Sequence, residues 1–405
     1  MQSRFGTASD DDIKKGMTTD VYFVNTLNVL KKKRMSKTVA AEFTIPHLPG
    51  DWKWGLYAGA DELVSLFEGV NVDLYSIPNG TVFHPKDAKG VNVPVAMLHG
   101  DYATFCVYET AALGLICHAS GIATTAARLK ALLFDRRVLS FGVRRIHPSI
   151  SPFVDKYAYV GGCDAVSSLK GAELTAQRAS GTMPHSLILM FKDQKKAFKA
   201  FDQVIPKEIP RVALVDTLAD EKVEALMAAE TIGKGLRGVR LDTHSSRRGR
   251  FEDIVAEVRW ELDIRGYKDV KIAVSGGLNE KNVVELKQAG AEIFGIGTSI
   301  SNARSVDFAL DIVEIEGKPF AKRGKFAGRK EPLRCERCYS WRCVPFGERL
   351  DPKCPRCGGK MRKMLEKVVE RGKVVAKIET ASDARRRVLD QIMKVSELDE
   401  GLRGR

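Results

Sequence analysis

The sequence predicts an α/β protein: an irregular α/β barrel of about seven strands, an N-terminal α+β domain before it and a cysteine-bearing segment after it. Two observations carry this reading. Between Ser140 and Ser299 a short apolar run, a polar or glycine-rich ending and a helix-like stretch follow one another repeatedly, the pattern of parallel strands joined by helices. The endings include two basic, two glycine-rich and several acidic sequences, and in such a barrel every strand end reaches one shared face. Those residue types on one face build a pocket for a phosphorylated anion.

Residues 1–16 are polar and unpatterned, and read as disordered or frayed. Residues 17–120 form the α+β domain with a linker helix. From Val21 to His99 the signals are β-rich: Ala40 to Ile45, Val72 to Tyr75 and Val93 to Ala96 run apolar or alternate between Pro and Gly punctuation. Asp101 to Phe134 reads as helix with a break near Ser120-Gly121. Residues 121–315 form the barrel. Its clearest strands are Arg211 to Val215, Gly238 to Leu241, Lys271 to Val274 and Ile293 to Ile296, with helical spacing over Asp193 to Val204, Ala219 to Ile232, Glu252 to Ile264 and Glu280 to Ala289. Residues 316–405 hold a basic, glycine-interrupted linker (Lys318 to Lys330), the cysteines, and a tail whose last part, Ala384 to Leu398, has amphipathic helical spacing. The triplet Arg385-Arg386-Arg387 reads as a solvated helix face.

Composition narrows the partners. The 405 residues carry a formal net charge of +14 with 44% hydrophobic content, so the chain is globular and attracts anions. Nucleic acid and a polyphosphorylated metabolite both fit that charge. No charged segment followed by an apolar core opens the chain, and the uncharged stretch Thr110 to Ala127 is diluted by His118, Ser120, Gly121, Thr124 and Thr125, which makes it a poor membrane span. A cytoplasmic protein without a membrane partner is expected.

Cys335-x2-Cys338 and Cys354-x2-Cys357, fifteen residues apart, have the spacing of a four-thiolate zinc ribbon. Four thiolates leave no open coordination position, so the zinc is read as structural and the segment as zinc-ribbon-like; Cys343 is left over. Cys106, Cys117 and Cys163 read as core residues. Ser275-Gly276-Gly277 and Gly295-Ile296-Gly297-Thr298 follow strands, where glycines let backbone N–H groups approach phosphate oxygens. Taken singly, Tyr22 reads as a strand residue, Phe141 as core and His185 as a core or loop histidine. Arg144 and Arg145 are adjacent, so in a strand only one enters the pocket. Asp216 and Asp242, at strand ends, suit a helix cap or a metal ligand.

Together these motifs resemble the type II phosphoribosyltransferases. Ser120-Gly121-Ile122-Ala123-Thr124 is similar to a signature of the quinolinate, nicotinate and nicotinamide enzymes. Thr19-Asp20-Val21-Tyr22, Phe141-Gly142-Val143-Arg144, Gly181-Thr182-Met183-Pro184-His185-Ser186, Leu241-Asp242-Thr243 with Ser245-Ser246-Arg247, and Ser275-Gly276-Gly277 narrow the resemblance to nicotinate phosphoribosyltransferase, and the cysteine tail to its short archaeal form. The resemblance spans roughly residues 17 to 360. It implies nicotinate and phosphoribosyl pyrophosphate as substrates, ATP as cosubstrate, magnesium, and a homodimer or larger homo-oligomer. Tyr22, reaching in from a second subunit, and Phe141 would sandwich the pyridine ring. Arg144 and Arg240 would meet the carboxylate or pyrophosphate, and Thr182 the nicotinate side. Ser245, Gly276, Gly277, Gly297 and Thr298 would hold the ribose phosphate. His185 and Asp242 would be the catalytic pair, His185 being transiently phosphorylated by ATP.

Asp164 resembles an acid that receives the amide in the nicotinamide enzyme, which keeps nicotinamide as an alternative substrate. Quinolinate is the other, needing additional Arg or Lys for its second carboxylate. From a different class, the ribbon and basic tail would suit a nucleic-acid-binding protein; with only Tyr339 and Trp341 among the basic residues, aromatic interleaving is sparse and this reading is disfavoured.

Overall fold

The computed structural model describes residues 5–247, 249–348 and 353–398. By internal contacts the chain forms two compact units, Met1–Thr125 with Ala303–Gly404, and Ala126–Asn302. The stretch after the barrel thus belongs with the N-terminal unit, whereas the sequence reading placed three domains one after another.

The chain enters the first unit through α1 (Asp10–Lys14) and α2 (Val21–Lys32). Within the stretch 1–16, Asp10–Lys14 is helical. Ser9 and Asp12 close a reciprocal capping box on α1, satisfying two otherwise orphaned donors. The β-prone run Val21-Tyr22-Phe23-Val24 is helical, so Tyr22 is a helix residue and not a strand residue. Tertiary contact overrides local propensity here: Thr110 Oγ1 donates to Asp20 at 2.8 Å and accepts from the Asp20 amide at 3.1 Å, fixing the start of α2.

There follow β1 (Thr38–Thr44), β2 (Gly55–Tyr57), α3 (Ala60–Phe67), β3 (Asp73–Ser76), β4 (Thr81–Phe83), β5 (Ala96–Asp101), α4 (Tyr102–Phe105) and α5 (Glu109–Leu132). The Val93 to Ala96 strand begins only at Ala96. Helix α5 runs unbroken through Ser120-Gly121. Ser120 Oγ accepts from the Ala58 amide at 3.0 Å, and Thr124 Oγ1 from the Leu56 amide at 2.9 Å. A Cβ on Gly121 would lie 2.2 Å from the Arg304 carbonyl. The Ser-Gly-Ile-Ala-Thr signature is thus a packing device that lets this helix approach two other backbones. The stretch Tyr102–Leu132 is long and apolar enough to cross a membrane by length and composition. Its residues Ala112, Ile116, Ala119, Ile122 and Ala123 are fully buried in the fold, which makes it a core helix.

The second unit holds β6 (Arg137–Ser140), α6 (Ser151–Val160), β7 (Ala165–Val166), α7 (Leu169–Leu174), α8 (His185–Phe191), α9 (Gln194–Val204), β8 (Arg211–Leu214), α10 (Glu221–Ile232), β9 (Leu236–Leu241), α11 (Phe251–Ile264), β10 (Lys271–Ser275), α12 (Val283–Gln288), β11 (Ile293–Ile296) and α13 (Thr298–Ser301). Its sheet is parallel, in the order β7-β6-β11-β10-β9-β8. It has six strands, one fewer than the sequence count, and β7 and β8 remain as edges. Two of the seven endings read from the sequence do not close a strand: Gly161 to Asp164 is the turn between α6 and β7, and Gly181 to His185 is irregular chain leading to Pro184 as the N-cap of α8.

The chain then returns to the first unit as β12 (Ala309–Ile315), β13 (Lys318–Pro319), β14 (Lys330–Cys335), β15 (Trp341–Pro345), β16 (Met361–Lys363), β17 (Glu366–Glu370), β18 (Lys373–Val374) and α14 (Ala381–Leu398). The first sheet reads β13-β12-β1-β5-β3-β17-β18, so its outer strands come from the C-terminal part. Phe43, Phe67, Leu74, Phe83 and Phe105 are completely buried in its core, each contributing about 1.5–3 kcal/mol by leaving water. The basic stretch 318–330 is tied down rather than a free linker: Lys322 and Lys325 pair with Asp311 at 2.5 and 2.7 Å, and buried Lys330 pairs with buried Glu42 at 2.9 Å. Helix α14 seats Val388, Ile392 and Val395 and bonds Gln391 to the backbone of Gly80 and Val82.

Candidate active site

The C-terminal ends of β8, β9 and β10, with the chain around Thr182 and His185, assemble one polar network in the second unit. Arg240, on β9, is the hub. Its Nη1 donates to Thr182 Oγ1 at 2.5 Å, its Nη2 to Asp242 at 2.9 Å and its Nε to Ser275 Oγ at 3.2 Å. Ser275 donates in turn to Asp242 at 2.8 Å. Asp216, after β8, accepts from the Asp242 amide at 3.1 Å and lies 3.1 Å from His185 Nε2. Burial pushes the Asp216 carboxyl up, the Asp242 charge adds to this, and His185 opposes it. The network spans residues 182 to 275: Asp216, Arg240, Asp242 and Ser275 sit at or just after a strand end, and Thr182 and His185 come from the irregular chain and helix start that precede β8.

Beside it lies a cavity of about 370 Å3 lined by Phe141, Arg144, Arg145, Arg240 and Asp242 on one side and by Gly276, Gly277, Gly297 and Thr298 on the other. Gly276 and Gly277 have φ of +91° and +71°, which only glycine adopts freely. A second cavity, of about 850 Å3, shares Phe141, Arg240 and Gly295 with it and adds Thr182. A Cβ on Gly295 would fall 2.4 Å from the Phe141 ring, so glycine is needed there to seat that aromatic wall.

Eight of the sequence-derived residues therefore line the smaller cavity, and Thr182 and His185 join through the network. Two do not. Ser245 is exposed in a 3-10 turn and lines neither cavity. Tyr22 is in the first unit, 56% exposed. Arg144 and Arg145 sit in a 3-10 turn rather than a strand, so both line the cavity, against the expectation that only one could. Asp164 is not among the residues lining either cavity: its carboxylate takes Lys130 Nζ at 2.8 Å and the Val138 amide at 2.9 Å, beside the first half of β6. Sequence reasoning gave Asp216 only as a helix cap or metal ligand and Ser275 only as part of a phosphate-binding turn, assigned neither a place in the substrate site, and admitted only one of Arg144 and Arg145. The Val215-Asp216-Thr217 ending, parallel to Leu241-Asp242-Thr243, was the available signal for Asp216.

In the first unit the Sγ atoms of Cys335, Cys338, Cys354 and Cys357 all lie within 4.8 Å of one another. Two of the separations are 3.5 and 3.7 Å, Cys335 to Cys357 and Cys338 to Cys354. A tetrahedral ion with metal–sulfur bonds of about 2.3 Å requires sulfurs about 3.8 Å apart, so the four thiols can hold a metal ion. Cys343 is not among them: its thiol is 3.8 Å from the Asn92 carbonyl, and burial raises its pKa.

Residues 122–311 match the family described as quinolinate phosphoribosyl transferase, C-terminal domain, and residues 20–120 match the N-terminal domain of the same enzyme. A solved structure from Pyrococcus furiosus, described as nicotinate-nucleotide pyrophosphorylase, is 49% identical, covers 98% of this chain and 99% of its own, and superposes with a TM-score of 0.93. A nicotinate phosphoribosyltransferase of Mycobacterium tuberculosis is 28% identical over 359 residues, 78% of this chain and 74% of that protein. Human nicotinic acid phosphoribosyltransferase shares the fold at 17% identity, with a TM-score of 0.74 over 93% of this chain and 94% of that one.

Proposed function

The chain belongs to the type II phosphoribosyltransferase family, and within it we propose that the protein is a nicotinate phosphoribosyltransferase, making nicotinate mononucleotide and pyrophosphate from nicotinate and phosphoribosyl pyrophosphate in NAD biosynthesis. The observation that carries this is Arg240, pinned by Thr182, Asp242 and Ser275 at the mouth of a cavity walled by Phe141 and glycine turns. The pyridine nitrogen of nicotinate has a lone pair at neutral pH and attacks the anomeric carbon directly as pyrophosphate departs. No general base is required. The protein needs only to hold the ring in line and stabilise the leaving charge. Phe141 supplies a flat wall, Arg144 and Arg240 meet the carboxylate or pyrophosphate, and the amides around Gly276, Gly277, Gly297 and Thr298 receive phosphate oxygens. The engagement of Asp164 by Lys130 supports nicotinate over the amide.

Magnesium is assigned to the phosphorylated substrate as its counter-ion. The oxygens of Asp216 and Asp242 already accept hydrogen bonds from the chain, which leaves them poor first ligands. ATP is assigned to His185, and zinc to the four cysteines as a structural ion. We also assign a homodimer in which Tyr22 of one copy covers the ring site of the other. Support comes from α2, where Val21, Tyr22, Val24 and Val29 are 41–70% exposed, an apolar face that calls for a partner.

Mass-spectrometric product analysis with phosphoribosyl pyrophosphate and each of nicotinate, nicotinamide and quinolinate tests the assignment. Nicotinate mononucleotide from nicotinate is expected. Arg145 at the cavity favours quinolinate as the second reading, since it provides a further cation; carbon dioxide release with quinolinate as the preferred substrate would establish that reading instead.

Metal analysis of protein purified without chelator is expected to return about one zinc per chain. Cys354→Ser should lower that content and loosen the C-terminal segment in hydrogen exchange, leaving the second unit's protection intact. Absence of zinc from the wild-type protein would refute the structural role.

A further inference from the structure

The first unit contains a cavity of about 710 Å3 bounded by the start of α3, the end of β3, β17 and the segment leading into α14. At its inner wall stands Arg334, only 5% exposed. On β14 successive side chains alternate, so Arg334 and the thiol of Cys335 face opposite ways. Only one nitrogen of the guanidinium is used: Nη1 donates to the Gln391 side chain and, at 3.4 Å, to the Val82 carbonyl. Nε is buried without a partner, and Nη2 has none among the described residues. The Tyr339 and Trp341 rings lie 4.9 and 5.8 Å from the guanidinium carbon. They offset part of the cost of burying the charge, but they do not accept its N–H donors.

A buried cation with no carboxylate bonded to it among the described residues and an unused Nη2 is an unsatisfied anion receptor. We propose that this cavity is a second binding site, which takes a small organic monocarboxylate, carboxylate first, onto Arg334. Nε is closed off by the surrounding protein, so Nη2 is the unbonded nitrogen that meets a carboxylate oxygen in a charge-assisted hydrogen bond. Ile77, Val368 and Ile378 supply apolar walls for the body of such a ligand. Two other arginines of the lining are already matched, Arg387 by Glu379 and Arg386 by Asp383 at 3.5 Å, which leaves Arg334 as the deep receptor. Glu366 and Asp390 are exposed at the mouth. Their charge disfavours a nucleotide or inorganic phosphate, which would bring two or more negative charges past them. Lys377, exposed at the same mouth, offsets a single charge. A bound monocarboxylate would touch β3, β14 and the approach to α14 together, so occupancy stabilises the first unit.

Benzoate is the probe, added to the full chain carrying Arg240→Ala so that the arginine-rich cavity of the second unit is weakened. Titration calorimetry is expected to show one benzoate per chain, and the melting temperature should rise with benzoate concentration but not with equal inorganic phosphate. Arg334→Met should abolish both effects. Because that change also removes the Gln391 contact, Ala60→Phe is the second variant: it fills the cavity from α3 with Arg334 in place, and should weaken benzoate at least about tenfold. No benzoate binding, binding unaffected by Ala60→Phe, or equally tight phosphate binding (an adventitious ion only) would each overturn the proposal. Mononucleotide synthesis is not read, so the outcome is independent of the activity assigned above.

Discussion

Equal amounts of an inactive Tyr22→Ala chain and an inactive Arg240→Ala chain, allowed to exchange subunits, are expected to regain about one quarter of wild-type activity. Alone, Arg240→Ala should lose about 10²- to 10³-fold in kcat/KM. It deletes a cation at the cavity and also strips Thr182, Asp242 and Ser275 of their common donor. Tyr22→Ala should lose activity by a different route. Tyr22 is more than half exposed on α2, beside Phe23 at a ring separation of 4.4 Å, and in the proposed homodimer its ring would form a wall of the other copy's site. Random pairing makes half the dimers mixed, and one of the two sites in each mixed dimer keeps both Tyr22 and Arg240. Recovery of that size, measured as nicotinate mononucleotide formed after exchange, is the expected result. No recovery, with exchange demonstrated by native mass spectrometry, would show that each chain completes its own site.

The second unit was the more legible half. Its strands are apolar runs closed by Gly or Asp, as buried parallel strands require, and Ile293–Ile296 is where the sequence put it. The six-strand count could not be read, because Gly161 to Asp164 and Gly181 to His185 carry the same kind of ending without a strand before them. In the first unit, α2 was hidden by four β-prone residues whose helical state depends on Thr110, ninety residues away. The returning strands β12 and β17 were hidden for the same reason, since register with β1 and β3 is a long-range property. Within the site the individual residues were legible as strand endings. Their connection was not: His185, Asp216, Asp242 and Arg240 form one chain of hydrogen bonds only after β8, β9 and β10 lie side by side. Arg145 was discounted through assuming a strand where the backbone makes a 3-10 turn.

His185→Ala is expected to abolish ATP-stimulated turnover while leaving slow, ATP-independent synthesis of the mononucleotide. The nitrogen of nicotinate attacks ribose directly, so the transfer itself needs no enzyme nucleophile. On the proposed ATP coupling His185 would serve a different step: with Nε2 beside Asp216 at 3.1 Å, Nδ1 is the nitrogen that would attack the γ-phosphorus of ATP, releasing ADP. The carboxylate favours the positive charge that builds on the ring as the N–P bond forms. The phosphoryl group adds negative charge to a histidine that Asp216 links to Asp242 and so to Arg240, and its hydrolysis returns the free imidazole. Asp216 is 1% exposed in its side chain, so loss of His185 leaves it buried with one fewer partner, a cost of about 1–3 kcal/mol. A modest fall in melting temperature should therefore accompany the kinetic change. Label from γ-labelled ATP should appear in wild-type protein as an acid-labile adduct and be missing from the variant. Equal labelling of the variant, or ATP stimulation of a wild type that never labels, would remove His185 from this role and leave the direct transfer standing.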